Sequence, residues 1–238
     1  MRKAVSKFAL AAGVMLALIF TAGCAAPKVA QDAETVRTAT GGSFTDSRDG
    51  KTYKIVKIGE QVWMAENLNY AVSGSKCYGE GGVESVIGYE NGDPIKKKLS
   101  DTEMQANCVK YGRLYDWNTA MKSCPSGWHL PSIDEYEALG NIVGKNVAGK
   151  KLKFSSGWEN DSNGTDEFGF SALPGGYGYS GGSFYNVGRG GYWWSASEWL
   201  SASSNNDAGY WLMWYDSNYA SWGTYPKSNL YSVRCLKD

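Results

Sequence analysis

Residues 117–139 read W-N-T-A-M-K-S-C-P-S-G-W-H-L-P-S-I-D-E-Y-E-A-L, and they hold two helix signals, a cysteine and a forced turn. Ser132 followed three residues later by Glu135 is a capping box: the serine oxygen accepts the Glu135 backbone N–H while the carboxylate reaches back to the Ser132 N–H. A helix starts there. Tyr136, Leu139 and Val143 then recur at helical spacing as one apolar stripe, and Gly144 offers a left-handed stop. Upstream, Trp117, Ala120 and Met121 share one face of a shorter helix predicted to end near Cys124. Pro125 and Gly127 turn the chain before Trp128 and Leu130 return to the core. The unit is helix, turn, helix. It specifies a framework and no reaction.

Strand signals lie on both sides of it. Asp49-Gly50 marks a tight turn before the β-rich run Tyr53 to Ile58, and Gly59-Glu60 separates that run from Gln61-Val62-Trp63-Met64, which predicts a second hairpin. Asp46 and Asp49 lack the alternating spacing and distal glutamate of a calcium loop, so they read as a solvated turn. From Gly175 onward the chain carries six of its ten tryptophans and nine of its sixteen tyrosines, interleaved with Gly, Ser and Asn. Short aromatic strands joined by Gly- and Asn-rich loops are the natural reading. In Tyr210–Tyr215 alternate residues are apolar on both sides, which predicts a central strand buried on both faces. Trp193 or Trp194, Trp211 and Trp214 are expected in the core. Tyr177, Tyr179, Trp199, Trp222 and Tyr225 are expected on loops, where they are harder to bury. The fold class is α+β: two helices packed on a twisted, mostly antiparallel sheet with long aromatic- and Gly-rich loops.

The N-terminus has Arg2, Lys3 and Lys7 ahead of an apolar run from Phe8 to Phe20, then Thr21-Ala22-Gly23-Cys24. A charged start, a short apolar run and small residues before a cleavage point describe a secretory signal, because a membrane span needs about 20 apolar residues. The cysteine after Ala-Gly makes residues 1–23 resemble a lipoprotein signal, with Cys24 lipidated and anchored in a bilayer; Ala26 points to the outer membrane, on its periplasmic or its surface side. Thr21 replaces the usual leucine. Residues 24–43 have no apolar period and read as a flexible tether. Residues 44–238 fit one domain. Basic and acidic residues number 24 each, and the signal contains three of the basic ones and no acid, so the chain beyond it is slightly acidic. That argues against nucleic acid as a partner.

With Cys24 set aside, Cys77, Cys108, Cys124 and Cys235 remain, an even number with three pairings, as an exported oxidised domain would have. Cys77 and Cys108 flank a Gly-, Asn- and Lys-rich insertion, residues 79–98, that has few core candidates and would benefit from a staple. No C-x-x-C pair exists and His129 is the sole histidine, so no metal site is expected. A Ser-His-Asp triad would have to use His129, which sits in the turn before the capping box and reads as a turn residue. A carboxylate pair for glycoside hydrolysis cannot be recognised among scattered acids.

The pattern from Trp117 to Leu139 resembles the two-helix segment of C-type-lectin-like domains. Four further blocks join it: residues 46–70, Y-G-R-L-Y-D-W at 111–117, W-W-S-A-S-E at 193–198 and V-R-C-L-K-D at 233–238. Together they resemble the Fibrobacter succinogenes major paralogous (FISUMP) domain over nearly all of residues 44–238. That resemblance implies an abundant surface or secreted bacterial protein with no settled activity. The lectin-like resemblance implies a Cys124–Cys235 bridge, which leaves Cys77 with Cys108. Residues 128–139 and Arg189-Gly190-Gly191-Tyr192-Trp193 also look like segments of formylglycine-generating enzymes, whose chemistry needs two free cysteines for copper; with Cys235 in a bridge, only the framework is shared. The E-P-N, Q-P-D and W-N-D segments of calcium-dependent lectins are absent. A calcium site, if present, would fall on Asn205, Asn206, Asp207, Asp216 or Asn218, whose ordinary use is in turns.

The expected function is a non-catalytic, surface-displayed binding module for polysaccharide or another cell-surface component, without a cofactor. The alternatives are a structural envelope lipoprotein and, behind it, an enzyme on the formylglycine framework. The expected ligand platform is Trp199, Trp222 and Tyr225, with Asn205, Asn206, Asp207 and Asn218 orienting hydroxyls.

Overall fold

The computed structural model describes residues 41–82, 84–199 and 206–238. The expected signal, Cys24, the tether up to residue 40 and Asn205 lie outside these residues. In chain order the strands are β1 (Gly41–Thr45), β2 (Thr52–Ile58), β3 (Gln61–Met64), β4 (Ser75–Lys76), β5 (Ser85–Glu90), β6 (Asp93–Lys97), β7 (Leu114–Tyr115), β8 (Trp128–His129), β9 (Gly175–Gly178), β10 (Phe184–Val187), β11 (Gly190–Trp199), β12 (Asp207–Trp214), β13 (Ala220–Pro226), β14 (Tyr231–Ser232) and β15 (Leu236–Lys237). The helices are α1 (Asp101–Tyr111), α2 (Trp117–Ala120), α3 (Ile133–Val143) and α4 (Ala148–Leu152). No described helix is long and apolar enough to cross a membrane.

Two sheets form. The first runs β1-β2-β3-β15-β8, all antiparallel. The second runs β4-β7-β14-β11-β9-β10-β5-β6, with β12 added to β11 and β13 to β12. Within it β11 is parallel to β9 and β14, and β10 is parallel to β5. The architecture is therefore α+β and mostly antiparallel, with both predicted hairpins of the first sheet in place. Strand β1 pairs Gly41, Gly42 and Ser43 with β2, so the folded domain begins at least three residues ahead of the expected boundary.

Helix α3 forms where its capping box predicts: Ser132 Oγ accepts from Glu135 N at 3.2 Å and Glu135 Oε2 accepts from Ser132 N at 2.7 Å. Gly144 ends it with φ +100 and ψ 101, a positive φ outside the left-handed helical basin. The stripe Tyr136, Leu139 and Val143 is buried against Ile58, Trp63, Phe170, Trp211 and Met213. Helix α2 is one turn, capped by Asp116, and stops at Ala120, earlier than predicted, because the residues up to Cys124 continue as turns. It packs into a second cluster with Tyr115, Trp128, Leu130, Trp194, Tyr231 and Val233. Both disulfides, Cys77–Cys108 and Cys124–Cys235, are formed.

A buried cation joins the two halves. Among the described residues the Arg234 guanidinium forms no ion pair; it donates to Asn67 Oδ1 from Nη2 at 2.7 Å and to the Phe170 carbonyl, and it lies 4.5 Å from the Phe170 ring centre. Burial drops its pKa to about 10. Trp193 Nε1 donates to the same Asn67 oxygen at 2.8 Å, so one amide holds three elements together.

Candidate aromatic binding cleft

Among the described residues, three aromatic side chains are more than a third exposed: Tyr219 at 58%, Trp199 at 45% and Trp222 at 43%. Trp222 connects them: its ring contacts that of Trp199, and it lines one cleft together with Tyr219. Trp199 ends β11 and Trp222 sits in β13, and β12 between them brings their ring centres to 6.1 Å with an interplanar angle of 48°. Tyr219 immediately precedes β13, where Ser217 Oγ accepts its backbone N–H at 3.2 Å. Beside these rings, a cleft of about 320 Å³ lies between α3 and β13, a volume at the low end for small-ligand sites.

Each wall follows from local sequence. The floor is Tyr136 stacked on Trp211, ring centres 4.8 Å apart at 23°, because the apolar stripe of α3 lies across β12. Burial pushes the Tyr136 phenol well up, and its hydroxyl has no hydrogen-bond partner among the described residues. On the outer face of α3, Glu137 Oε1 accepts from Trp222 Nε1 at 2.9 Å and fixes the indole. Asn141, Lys145, Asn146 and Ser221 supply neutral and cationic hydrogen-bonding groups around the mouth. Gly140 makes the room. A Cβ there would meet nothing within 4 Å, so no clash demands glycine in the middle of this helix, where alanine is favoured by about 1 kcal/mol. What the missing side chain leaves open is the cleft.

This arrangement suits a ring-shaped, hydroxylated ligand: indole faces for the C–H face of a ring, amides and a carboxylate for its hydroxyls. A second cleft of about 320 Å³, between the β2–β3 hairpin and the end of α1, is lined by Lys51, Lys54 and Lys110 and has no exposed aromatic ring.

The structure brings some of the expected residues together and separates others. Trp199 and Trp222 share one face, but on strands rather than loops. Tyr225 does not join them: it is three residues from Trp222 on one strand, so it points to the opposite face, where its hydroxyl is 3.1 Å from that of Tyr179. Asp207 pairs with Trp199 across β11 and β12, and the backbone carbonyl of Asn206 accepts from Lys227 N at 2.9 Å. Asn218 lies beyond the other end of β12, whose eight residues span about 23 Å, so it cannot share a ligand with Asp207. The turn carrying Asp216 and Asn218 already encloses a cation. Lys153 Nζ donates to the carbonyls of Ser162, Trp214, Tyr215 and Ser217 at 3.2, 3.3, 2.8 and 3.1 Å, and burial lowers its pKa to about 8. No cluster of three or more His, Cys, Asp or Glu among the described residues is placed to hold a metal.

Two predicted burials also change. Trp214, with Tyr210 and Leu212, is only half-buried, so β12 has one buried face and one partly open one. Sequence reading missed Tyr219, Glu137 and Gly140; only the glycine inside an otherwise regular helix carried a signal.

A family model described as the Fibrobacter succinogenes major domain matches residues 56–237. No curated protein and no solved structure matches the chain.

Proposed function

The chain belongs to the Fibrobacter succinogenes major domain family, and from that membership together with the cleft we propose that it is a surface-displayed lipoprotein whose domain is a non-catalytic binding module for polysaccharide. The observation that carries this reading is that two exposed aromatics, Trp222 and Tyr219, line one cleft while a third, Trp199, lies against Trp222. Exposed aromatic rings lose the favourable burial that such side chains usually gain, and two of them lining a polar-rimmed cleft with a third against them are explained by a partner that covers them. The fold is proposed to be a C-type-lectin-like variant, supported by the capped helix pair and the long-range Cys124–Cys235 bridge. The bridge also supports the non-catalytic reading, since Cys235 is not free to bind copper.

Retention of the mature chain on insoluble and soluble polysaccharides tests the proposal. Trp222→Ala and Trp199→Ala should each weaken retention about 10-fold, equivalent to about 1.4 kcal/mol, while the melting temperature barely moves. Core tryptophans would instead cost about 3 to 5 kcal/mol of stability. Full retention by both variants would favour the structural envelope lipoprotein.

Anchoring is proposed to run through an acylated Cys24. Cys24→Ser should abolish metabolic palmitate labelling and move the protein from the detergent to the aqueous phase; equal labelling of variant and wild type would reject the anchor.

A further inference from the structure

The sheet face opposite the cleft carries a second aromatic surface, built from tyrosine. Tyr185 pairs with Tyr177 across β10 and β9, Gly191 pairs with Gly176 across β11 and β9, and so Tyr192 follows Tyr177 in the same row. Their ring centres are 6.0 and 5.0 Å apart. Tyr210 continues the row 6.0 Å from Tyr192. Beside it the hydroxyls of Tyr177, Tyr179 and Tyr225 form a chain with separations of 3.3 and 3.1 Å. Tyr231 is buried beneath, 5.4 Å from Tyr192 and 5.0 Å from Tyr210. Tyr177, Tyr179, Tyr185, Tyr210 and Tyr225 are all partly exposed.

Three features restrict what this face can take. It is uncharged: burial pushes the phenols of Tyr177, Tyr192, Tyr210 and Tyr231 up, and the hydrogen bond with Tyr179 does so for Tyr225, so all stay protonated near neutral pH. It is smooth at β13, because Gly223 stands where a side chain would collide with the Tyr210 hydroxyl. It also carries hydrogen-bonding groups, the hydroxyls of the partly exposed Tyr177, Tyr179 and Tyr225. Strands in a sheet repeat about every 4.8 Å, so the row from β10 to β13 spans about 19 Å. That repeat is close to the repeat of linked pyranose rings.

We propose that this tyrosine face binds an extended, uncharged polysaccharide chain laid across the strands, its rings stacking on the partly exposed tyrosines and hydrogen-bonding to neighbouring phenols. It stands independently of the cleft, being on the other face of the same strands. An anionic polymer would gain nothing here, because no cation lies in the row.

The test is tyrosine acetylation of the full mature chain with N-acetylimidazole, mapped by peptide mass spectrometry, with hydroxyethyl cellulose, galactomannan or polygalacturonate added. Either neutral polymer should slow acetylation of Tyr177, Tyr179, Tyr185 and Tyr225 at least 5-fold, and polygalacturonate should not. The same protection should persist in Trp222→Ala, whose cleft is damaged. Tyr179→Ala with Tyr185→Ala should weaken retention on the neutral polymer about 10-fold; if that variant does not fold, the footprint on the wild-type chain decides. Absence of protection by both neutral polymers, equal protection by the polyanion, or protection that disappears in Trp222→Ala would each overturn the proposal.

Discussion

His129 shows how one side chain reads local electrostatics. Its Nδ1 lies 2.6 Å from Asp238 Oδ1 and its Nε2 3.0 Å from Glu135 Oε1, so the imidazole joins β8, the capping box of α3 and the last residue of the chain. Burial pulls its pKa down, but the hydrogen bonds to Asp238 and Glu135 outweigh that and the net shift is upward. Burial would raise the Glu135 carboxyl, but its bonds to Ser132 and His129 leave it below its usual value. The signs follow. A histidine raised in the folded state contributes stability that is full below about pH 6.5 and is lost as pH rises through the folded value; the lowered glutamate contributes above about pH 4.3 and loses its share as pH falls. Because both side chains are over a third exposed, solvent screening holds the effect under about 1 kcal/mol. Melting temperature should therefore peak between about pH 5 and 6.5 and fall by about 2 °C toward pH 8. His129→Gln should flatten that alkaline limb. A limb of unchanged slope in the variant would assign it to other groups.

At the scale of elements, α3 carries both the fold and the cleft. Its central glycine gives a prediction of opposite sign for stability and binding. Gly140→Ala removes a helix-interior glycine without introducing a clash and should raise the melting temperature by about 2 to 4 °C. Gly140→Leu should fill the cleft and abolish retention on polysaccharide while the chain stays folded; a Leu variant that binds normally would move the ligand elsewhere. Helix α3 was legible because Ser132, Glu135 and the stripe at 136, 139 and 143 are local signals. Helix α1 was equally signalled by Ser100 and Glu103, which form a full capping box, yet it went unread because only Cys108 and Tyr111 are buried and no stripe marks its length. The aromatic strands were legible as strands. Which face each ring took was not, since β12 is aromatic on both sides and only its pairing with β11 and β13 sends Trp211 inward and Tyr210 outward. Likewise Trp199 and Trp222 become neighbours through a strand register that no local pattern encodes.

At the scale of the whole molecule, the C-terminal strand β15 lies between β3 and β8, so the first sheet closes only when the last residues return to the first ones. Such long-range closure is costly in chain entropy, and Cys235, adjacent to β15, is tied to Cys124 across a separation of 111 residues. On the chain-entropy account that bridge contributes about 4 to 5 kcal/mol, against about 3.5 kcal/mol for Cys77–Cys108 with its separation of 31. Total stabilities of about 5 to 15 kcal/mol make either loss serious. The two losses should differ in kind. Replacing Cys124 and Cys235 by alanine frees β15 and β8, so both hydrophobic clusters loosen, and the melting temperature should fall by about 10 to 18 °C with polysaccharide retention lost near the new midpoint. Replacing Cys77 and Cys108 releases α1 and the β5–β6 hairpin from β4, where Arg113 also donates to Ser75 and Glu80. Its signature should be faster amide exchange confined to residues 75–111, with the cleft between α3 and β13 still binding. Exchange that spreads into α3 in that second variant would show that the insertion is part of the core rather than stapled onto it.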